Sequence, residues 1–256
     1  MSIEINILAS GSRGNCMLIK NEYTAVLLDA GISARRITAG LKALHMDIKN
    51  ISAISLTHEH TDHTRGLKTL LKKNDIPIYT RAKTFKALPE LCTKLHCCRV
   101  ITSERFDIGS MQIRPFSISH DAADPVGFKI KSGDSVLTTA TDLGFVSDAV
   151  KQALEDSDAV VLEANHDINM LQNGAYPWPL KQRILGKCGH LSNFAAGTAV
   201  NQLQHKPQHL ILAHLSEKNN TPQLAQNTIG MLMQKYHTGD IPLQVAGPDM
   251  MIHLEI

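Results

Sequence analysis

Between positions 58 and 63 the chain reads His58-Glu59-His60-Thr61-Asp62-His63. Imidazole nitrogens and carboxylate oxygens are the donors that zinc and its neighbours take from proteins. His58 and His60 stand two apart where an apolar run ends, so alternation points them the same way and lets them share one cation, while Asp62 and His63 open the next helix and can face a second. The competing reading is a solvated polar loop. Four side chains cannot close two sites that also admit water and substrate, so further ligands must come from elsewhere. They are available after strand-like runs: His120 follows 113–119, Asp142 follows 135–139 and His214 follows 210–213. Each alone also fits an ordinary surface or capping residue; together they favour the metal reading.

These positions need a framework. Ile3, Ile5 and Ile7 alternate with polar or small neighbours, and further strands are predicted at 16–20, 24–29, 51–56, 76–80, 111–119, 126–131, 135–139, 159–163 and 209–213. Helices are predicted at 34–46 behind a Ser33 cap, then at 64–73, 84–91, 147–155, 192–204 and 221–235, with short strands at the end. No repeat, low-complexity tract or linker divides residues 1–256, which read as a single α+β domain: two mixed sheets packed together with helices outside.

Composition narrows the field. Thirteen His is a high count, whereas 26 Lys+Arg against 24 Asp+Glu leaves +2 and excludes a generally basic, polyanion-coating protein. Five cysteines (Cys16, Cys92, Cys97, Cys98, Cys188) form no C-x-x-C pair and read as buried thiols of a reducing cytoplasm. No apolar run approaches the roughly 18 residues that cross a bilayer, and the N-terminus lacks the basic, then apolar pattern of a signal peptide.

A strand-terminal Asp29, then H-x-H-x-D-H, a later His, an Asp and a final His resemble the metallo-β-lactamase superfamily over nearly the whole chain. The resemblance implies the four-layer αβ/βα sandwich with the site at one edge of both sheets. It implies two divalent metal ions, one held by His58, His60 and His120, the other by Asp62, His63 and His214, with Asp142 bridging and Asp29 orienting a ligand from behind. Asp where some zinc β-lactamases have Cys points to dinuclear hydrolysis of phosphodiesters or thioesters. Thr64-Arg65-Gly66-Leu67 replaces the Ile-Gly-Gly of glyoxalase II-type thioesterases. The segments 162–166 and 189–195 look like the Glu-Ala-Thr and His-Ser-Thr-Ala elements of the tRNA-processing branch, which implies His190 as general acid and Glu163 as its orienter. The helix N-terminus at Ser192 and Asn193 offers N–H groups to a phosphate.

Ser10-Gly-Ser-Arg-Gly-Asn15, Ser119-His-Asp-Ala-Ala-Asp-Pro125 and Gly189-His-Leu-Ser-Asn193 resemble the compact bacterial YycJ/WalJ-like group. That implies a metal-dependent DNA exonuclease working from 5′ ends, with DNA preferred to RNA, a hydroxide between the two ions as nucleophile, and Asp62, His190 and Glu163 as the catalytic set. Zn suits the three-His site, with Mn or Fe as alternatives at the oxygen-richer one. Arg13 stands where a small residue is expected. The stretch 167–187, with Tyr176, Trp178, Lys181, Arg183 and Lys187, reads either as a lid that meets bases and phosphates or as a packed loop around the only Trp. His166 reads as ligand, substrate contact, second acid or simple loop residue. His45, His96, His205, His209, His237 and His253 have no partner spacing. A small-molecule metallohydrolase acting on a thioester, lactone or cyclic phosphodiester is the rival enzyme class, and a non-catalytic metal-bound module a third reading.

Overall fold

The computed structural model describes residues 1–89 and 95–256. Its first sheet is built from β1 (Glu4–Ala9), β2 (Cys16–Lys20), β3 (Ala25–Leu28), β4 (Ala53–Ser55), β5 (Ile78–Thr80) and β6 (Cys98–Val100), in chain order across the sheet. The second takes β7 (Phe106–Ile108), β8 (Met111–Ser117), β9 (Val126–Ser132), β10 (Ser135–Ala140), β11 (Ala159–Glu163), β12 (His209–Ala213) and β13 (Leu243–Val245). The last strand, β14 (Ile252–Glu255), returns to pair with β1. Each sheet has an antiparallel half and a parallel half, the parallel strands being β3 to β6 in one and β10 to β13 in the other.

Period-two alternation decides which residues enter which layer. In β3, Val26 and Leu28 face the other sheet while Ala25 and Leu27 face helices; in β12, Ile211 and Ala213 point inward while Leu210 and Leu212 point out. Inner faces meet through Ile5, Ile7 and Ile19 opposite Phe128, Ile130 and Val161. On the first sheet's outer face, α1 (Ala34–Ala43) and α3 (Leu67–Lys73) bury Ile37, Leu41, Leu67 and Leu70. On the second sheet's outer face, α5 (Asp148–Leu154), α8 (Asn193–Asn201) and α9 (Pro222–Lys235) bury Val150, Leu154, Val200 and Ile229. Each such side chain contributes roughly 1.5–3 kcal/mol of burial. The result is the expected helix–sheet–sheet–helix sandwich.

The predicted Ser33 cap is in place, accepting from Arg36 N–H, and Ser147 and Thr221, the first residues of two predicted helices, cap them by accepting from Val150 and Leu224 N–H. The helix expected at 64–73 instead starts earlier and breaks into α2 (Thr61–Thr64) and α3. The break lies at Gly66, whose N–H donates to Ala30 O at 2.7 Å and where a Cβ would stand 2.3 Å from Ile32 O. Of the helix expected at 84–91, α4 (Ala82–Lys86) is seen; the positions 90 and 91 and Cys92 lie outside the described residues. The stretch 167–187 carries two helices: α6 (Ile168–Asn173), capped by Asp167, and α7 (Trp178–Leu185), opened by prolines 177 and 179. Trp178 is 62% exposed, so it anchors no core there.

Candidate metal centre

Most of the expected donors reach one edge of the sandwich because they lie at or just beyond the C-terminal end of a strand; Asp62 and His63 instead come from α2, which opens directly after His60. Asp29 follows β3, His58 and His60 follow β4, His120 follows β8, Asp142 follows β10, Glu163 ends β11 and His214 follows β12. Asp29, Asp142 and His214 have φ of 60°, 61° and 56°. This left-handed conformation is uncommon for residues with a Cβ and costs of order 1–3 kcal/mol each. It breaks strand alternation at the last residue. Three strained residues at one edge mark where the fold gives up stability for placement. The opening loop braces the motif: Asn15 N–H donates to Asp62 O at 2.8 Å, and a Cβ at Gly31 would collide with that same carbonyl at 1.6 Å.

The imidazoles are aimed by what their outer nitrogens bond. Asp29 Oδ1 accepts Thr57 N–H at 2.9 Å, while Oδ2 accepts Thr57 Oγ1–H at 2.9 Å and His63 Nδ1–H at 2.7 Å. With its proton given to Asp29, Thr57 Oγ1 accepts from His58 Nδ1 at 3.0 Å. His120 Nδ1 donates to Gly189 O at 3.3 Å and His214 Nδ1 to Glu163 Oε1 at 3.0 Å. In all four rings Nδ1 is thus taken up and Nε2 turns inward; when the ring is neutral Nε2 carries the lone pair, the tautomer a metal ligand needs. His60 uses the other nitrogen: its Nδ1 lies 3.3 Å from His120 Nε2.

The inward atoms form overlapping groups, His58/His60/His120, Asp62/His63/His214 and His58/His63/Asp142, each with its donor atoms within 4.8 Å of one another. Asp62 Oδ2 is 3.5 Å from both His63 Nε2 and His214 Nε2. Asp142 lies between the sets, with Oδ2 3.1 Å from His63 Nε2, and Oδ1 3.4 Å from His214 Nε2 and 3.8 Å from His120 Nε2. Metal–ligand bonds of about 2.0–2.1 Å at the tetrahedral angle would space ligand atoms by about 3.3–3.4 Å. His58 Nε2 and Asp142 Oδ2 are buried without a hydrogen-bond partner. An orphaned lone pair and an orphaned carboxylate oxygen, so spaced, fit a pair of cations.

The protonation tendencies agree. Burial holds His58 well below the usual imidazole range, with His63 adding repulsion, and burial likewise lowers His120. Burial acts against charge on His63 too, but Asp29 and Asp142 lift it well above that range; against the same burial, Asp142, Asp62 and Glu163 lift His214 to about 10. Burial favours the neutral acid at Asp62 and Asp142, yet the neighbouring imidazoles hold both far below the carboxylate range. The field that keeps protons on His63 and His214 would equally hold a divalent ion in their place.

Beside this cluster Glu163, fully buried, accepts His190 Nδ1 at 2.8 Å on Oε1 and the N–H groups of Leu143 and Leu191 at 2.9 and 3.1 Å on Oε2. Burial would raise this acid, but His190 and His214 bring it to about 2; burial would lower His190, but Glu163 raises it. His190 is about one-fifth exposed and lines a cleft of about 250 Å³ with Ser12, His120, Tyr176, Arg183 and Cys188. Arg183 pairs with Asp121 at 2.6 Å.

Other expected contacts sit differently. Ser192 caps α8 through Ala195 N–H at 3.2 Å, and the buried Asn193 amide exchanges hydrogen bonds with Asn220 at 2.9 and 2.8 Å. His166 is 1% exposed, has no partner on either ring nitrogen, and is lowered to about 4 by burial. Lys181 donates to Gln172 O, tying α7 to α6. Arg13 pairs with Glu217. The structure adds Asn15, whose Nδ2 lies 3.1 Å from His63 Nε2 and 3.4 Å from Asp62 Oδ2. Its only sequence signal is its place at the end of the glycine-rich opening.

A strand-end cluster of His and Asp in a four-layer sandwich defines a metallohydrolase of the metallo-β-lactamase fold. Residues 24–215 match the β-lactamase superfamily domain. The chain is 35% identical over 239 residues to exodeoxyribonuclease YycJ of Bacillus anthracis, covering 92% of this chain and 90% of the relative. It is 34% identical over 237 residues to exodeoxyribonuclease WalJ of Streptococcus pneumoniae, covering 90% and 87%. The metallo-β-lactamase fold protein YhfI of Bacillus subtilis superposes with a TM-score of 0.77 over 99% of this chain and 100% of that one, at 15% identity. The chain thus belongs to the metallo-β-lactamase superfamily, with relatives of the YycJ/WalJ kind along nearly its whole length.

Proposed function

We propose that the protein is a dinuclear metal-dependent phosphodiesterase, a DNA exonuclease of the cytoplasm, working as one domain over residues 1–256. The observation that carries this is the Glu163–His190 pair set against the metal-ligand cluster: a charged acceptor stabilises imidazolium at a ring whose other nitrogen is left for substrate. His58, His60 and His120 would hold one ion, Asp62, His63 and His214 the second, and Asp142 both; Zn suits the first set, and Mn or Fe is tolerated by the second. When bound, two divalent ions supply an acidified water and neutralise charge on a phosphodiester. Glu163 keeps His190 Nδ1 protonated, so the proton on Nε2 is the one that leaves, going to the departing sugar oxygen. Asp29 and Thr57 keep His63 and His58 in the tautomer that faces the ions. His166, Ser192, Asn193 and Arg183 stand nearby, and of these Arg183 alone lines the cleft where a phosphate could reach it.

The test is one metal-loaded sample offered 5′-phosphorylated single-stranded DNA, the matching RNA, a chromogenic phosphodiester, a thioester and a β-lactam. Stepwise shortening of end-labelled DNA is expected, with slower loss of RNA. Turnover confined to the thioester would overturn the proposal.

A further inference from the structure

Away from the metal cluster, the outer face of β8 and β9 carries a cavity of about 520 Å³ lined by Arg105, Arg114, Lys129 and Lys131, with Glu104 its one acid among the described residues. The sheet register makes this placement systematic. Met111 and Ile113 of β8, and Phe128 and Ile130 of β9, point into the inter-sheet core, so Gln112, Arg114, Lys129 and Lys131 must point out. Arg114 stands directly opposite Lys129, and Gln112 opposite Lys131. Like charges across a ladder repel. Among the described residues, Arg105, Arg114 and Lys131 have no carboxylate within ion-pair distance. Lys129 gives its ammonium to a backbone carbonyl, Glu155 O. Four cations round one acid, in a chain whose net charge is only +2, is a concentration the fold does not need.

The groove also has a direction. A second hollow of about 310 Å³ shares Glu104 and Arg114 with the first and continues past Phe116 to Ser117, with Arg81 on its wall. Arg81 Nε is buried without a hydrogen-bond partner. Ser117 ends β8, three residues before His120. From Arg114 to Ser117 the strand covers about 10 Å at about 3.3 Å per residue, and three further residues outside the strand lead on to His120.

We infer that this groove binds the phosphodiester backbone of the nucleic-acid strand whose end lies in the metal site. The inference rests on the proposed function. It assigns to Arg105, Arg114 and Lys131 the holding of phosphates several nucleotides from the reacting bond. Among the described residues no exposed aromatic ring lines either hollow, so the contacts are ionic and indifferent to sequence.

The experiment compares wild type with an Arg105→Gln/Arg114→Gln/Lys131→Gln variant, both metal-loaded. Binding is measured on a non-hydrolysable phosphorothioate strand across salt concentrations, and turnover on long DNA, a dinucleotide and a chromogenic phosphodiester. The expected result is a salt slope smaller by about 2, at roughly 0.7 per contact on a single strand. KM should rise about tenfold or more on long DNA, with kcat on the dinucleotide and the chromogenic ester unchanged. If wild type degrades DNA and the variant keeps the wild-type slope and KM, the groove is refuted while the nuclease reading stands. If wild type neither binds nor degrades DNA, the nuclease reading fails and the groove assignment with it. Lost turnover on the chromogenic ester would also refute the groove as a remote site.

Discussion

Glu163 Oε1 lies 2.8 Å from His190 Nδ1, and the same oxygen takes His214 Nδ1 at 3.0 Å. One buried carboxylate oxygen thus aims the proposed acid and one proposed ligand, while Oε2 is pinned by two backbone N–H groups. Glu163→Gln keeps the shape but removes the charge, and an amide cannot offer oxygen to both sides. The expected outcome is a fall in kcat of about 10²–10³ together with metal affinity weaker by about 10–100-fold. Single-turnover kinetics and a metal titration on one preparation check both. Unchanged metal affinity would confine Glu163 to His190.

His190 and Asp62 should separate chemistry from metal. His190→Ala is expected to retain normal metal content and to lose about 10²–10⁴ in kcat on DNA, but far less on a nitrophenyl ester whose leaving group needs no proton. Asp62 lies 3.5 Å from two inward imidazole nitrogens, so Asp62→Ala should lose the second ion and all turnover. Elemental analysis beside rates on the two substrates decides it. Equal losses on both esters in the His190 variant would remove its role as acid.

Asp29 reaches the centre at one remove, through His63 and through Thr57 to His58. Asn tolerates its φ of 60°, so Asp29→Asn should fold. The neutral amide no longer favours the Nδ1 proton of His63, and affinity for the second ion should fall about 10–100-fold. Competition with a chelator would show this, and an affinity equal to wild type would make Asp29 merely structural.

Much of this site was readable along the chain because its donors sit at the ends of apolar runs. The strand predicted at 16–20 is β2, and those at 159–163 and 209–213 are β11 and β12. β11 and β12 are buried on both faces and read as continuous apolar runs that end where polar residues begin, and those ends are where Glu163 and His214 stand. Less local features were invisible. Asn15 acts through a loop packed against α2, and Glu163 serves His214 as well as His190 only because β11 and β12 are in register. Strands β6 and β7 are three residues each with a charged residue, Arg99 or Asp107, at the centre, so neither offers the short apolar run that made the equally short β4 and β5 legible. The helices at 168–173 and 178–185 were masked by prolines and Gly174, which read as loop signals but here open one helix and close the other. The basic groove needed the pairing of Arg114 with Lys129, which no single segment encodes.

The cysteines should divide by burial. Cys16 is buried, and its surroundings and Asp29 push its thiol far above the usual range. Cys188 is exposed on the cleft wall, 3.8 Å from Ser119 Oγ. In the native protein a maleimide should label Cys188 and spare Cys16, and a bulky label there should inhibit DNA turnover by narrowing the cleft. Peptide mapping after brief labelling tests the order. A Cys188→Ser variant should keep activity and lose the inhibition.

Acid stability offers a last check, away from the metal cluster. Both Glu155 oxygens accept from Gln204 N–H, at 3.0 and 3.1 Å, and one also accepts from His205 N–H at 3.2 Å. What desolvation there is would raise this carboxyl, but the N–H bonds from Gln204 and His205 lower it below the usual range. A lowered native value means the unfolded chain binds the proton more tightly, so the contribution is complete above the ordinary Glu value of about 4.3 and disappears as pH falls through the native one. Glu155→Gln, the neutral isostere of the protonated acid, should therefore melt about 1–2 °C below wild type at pH 7. Because Glu155 is only partly covered, the gap is small, and it should close on acidification below about pH 4. Melting curves of the pair at several pH values isolate this carboxyl from the acid lability of the rest of the chain; a gap that widens in acid would reverse the sign of the argument.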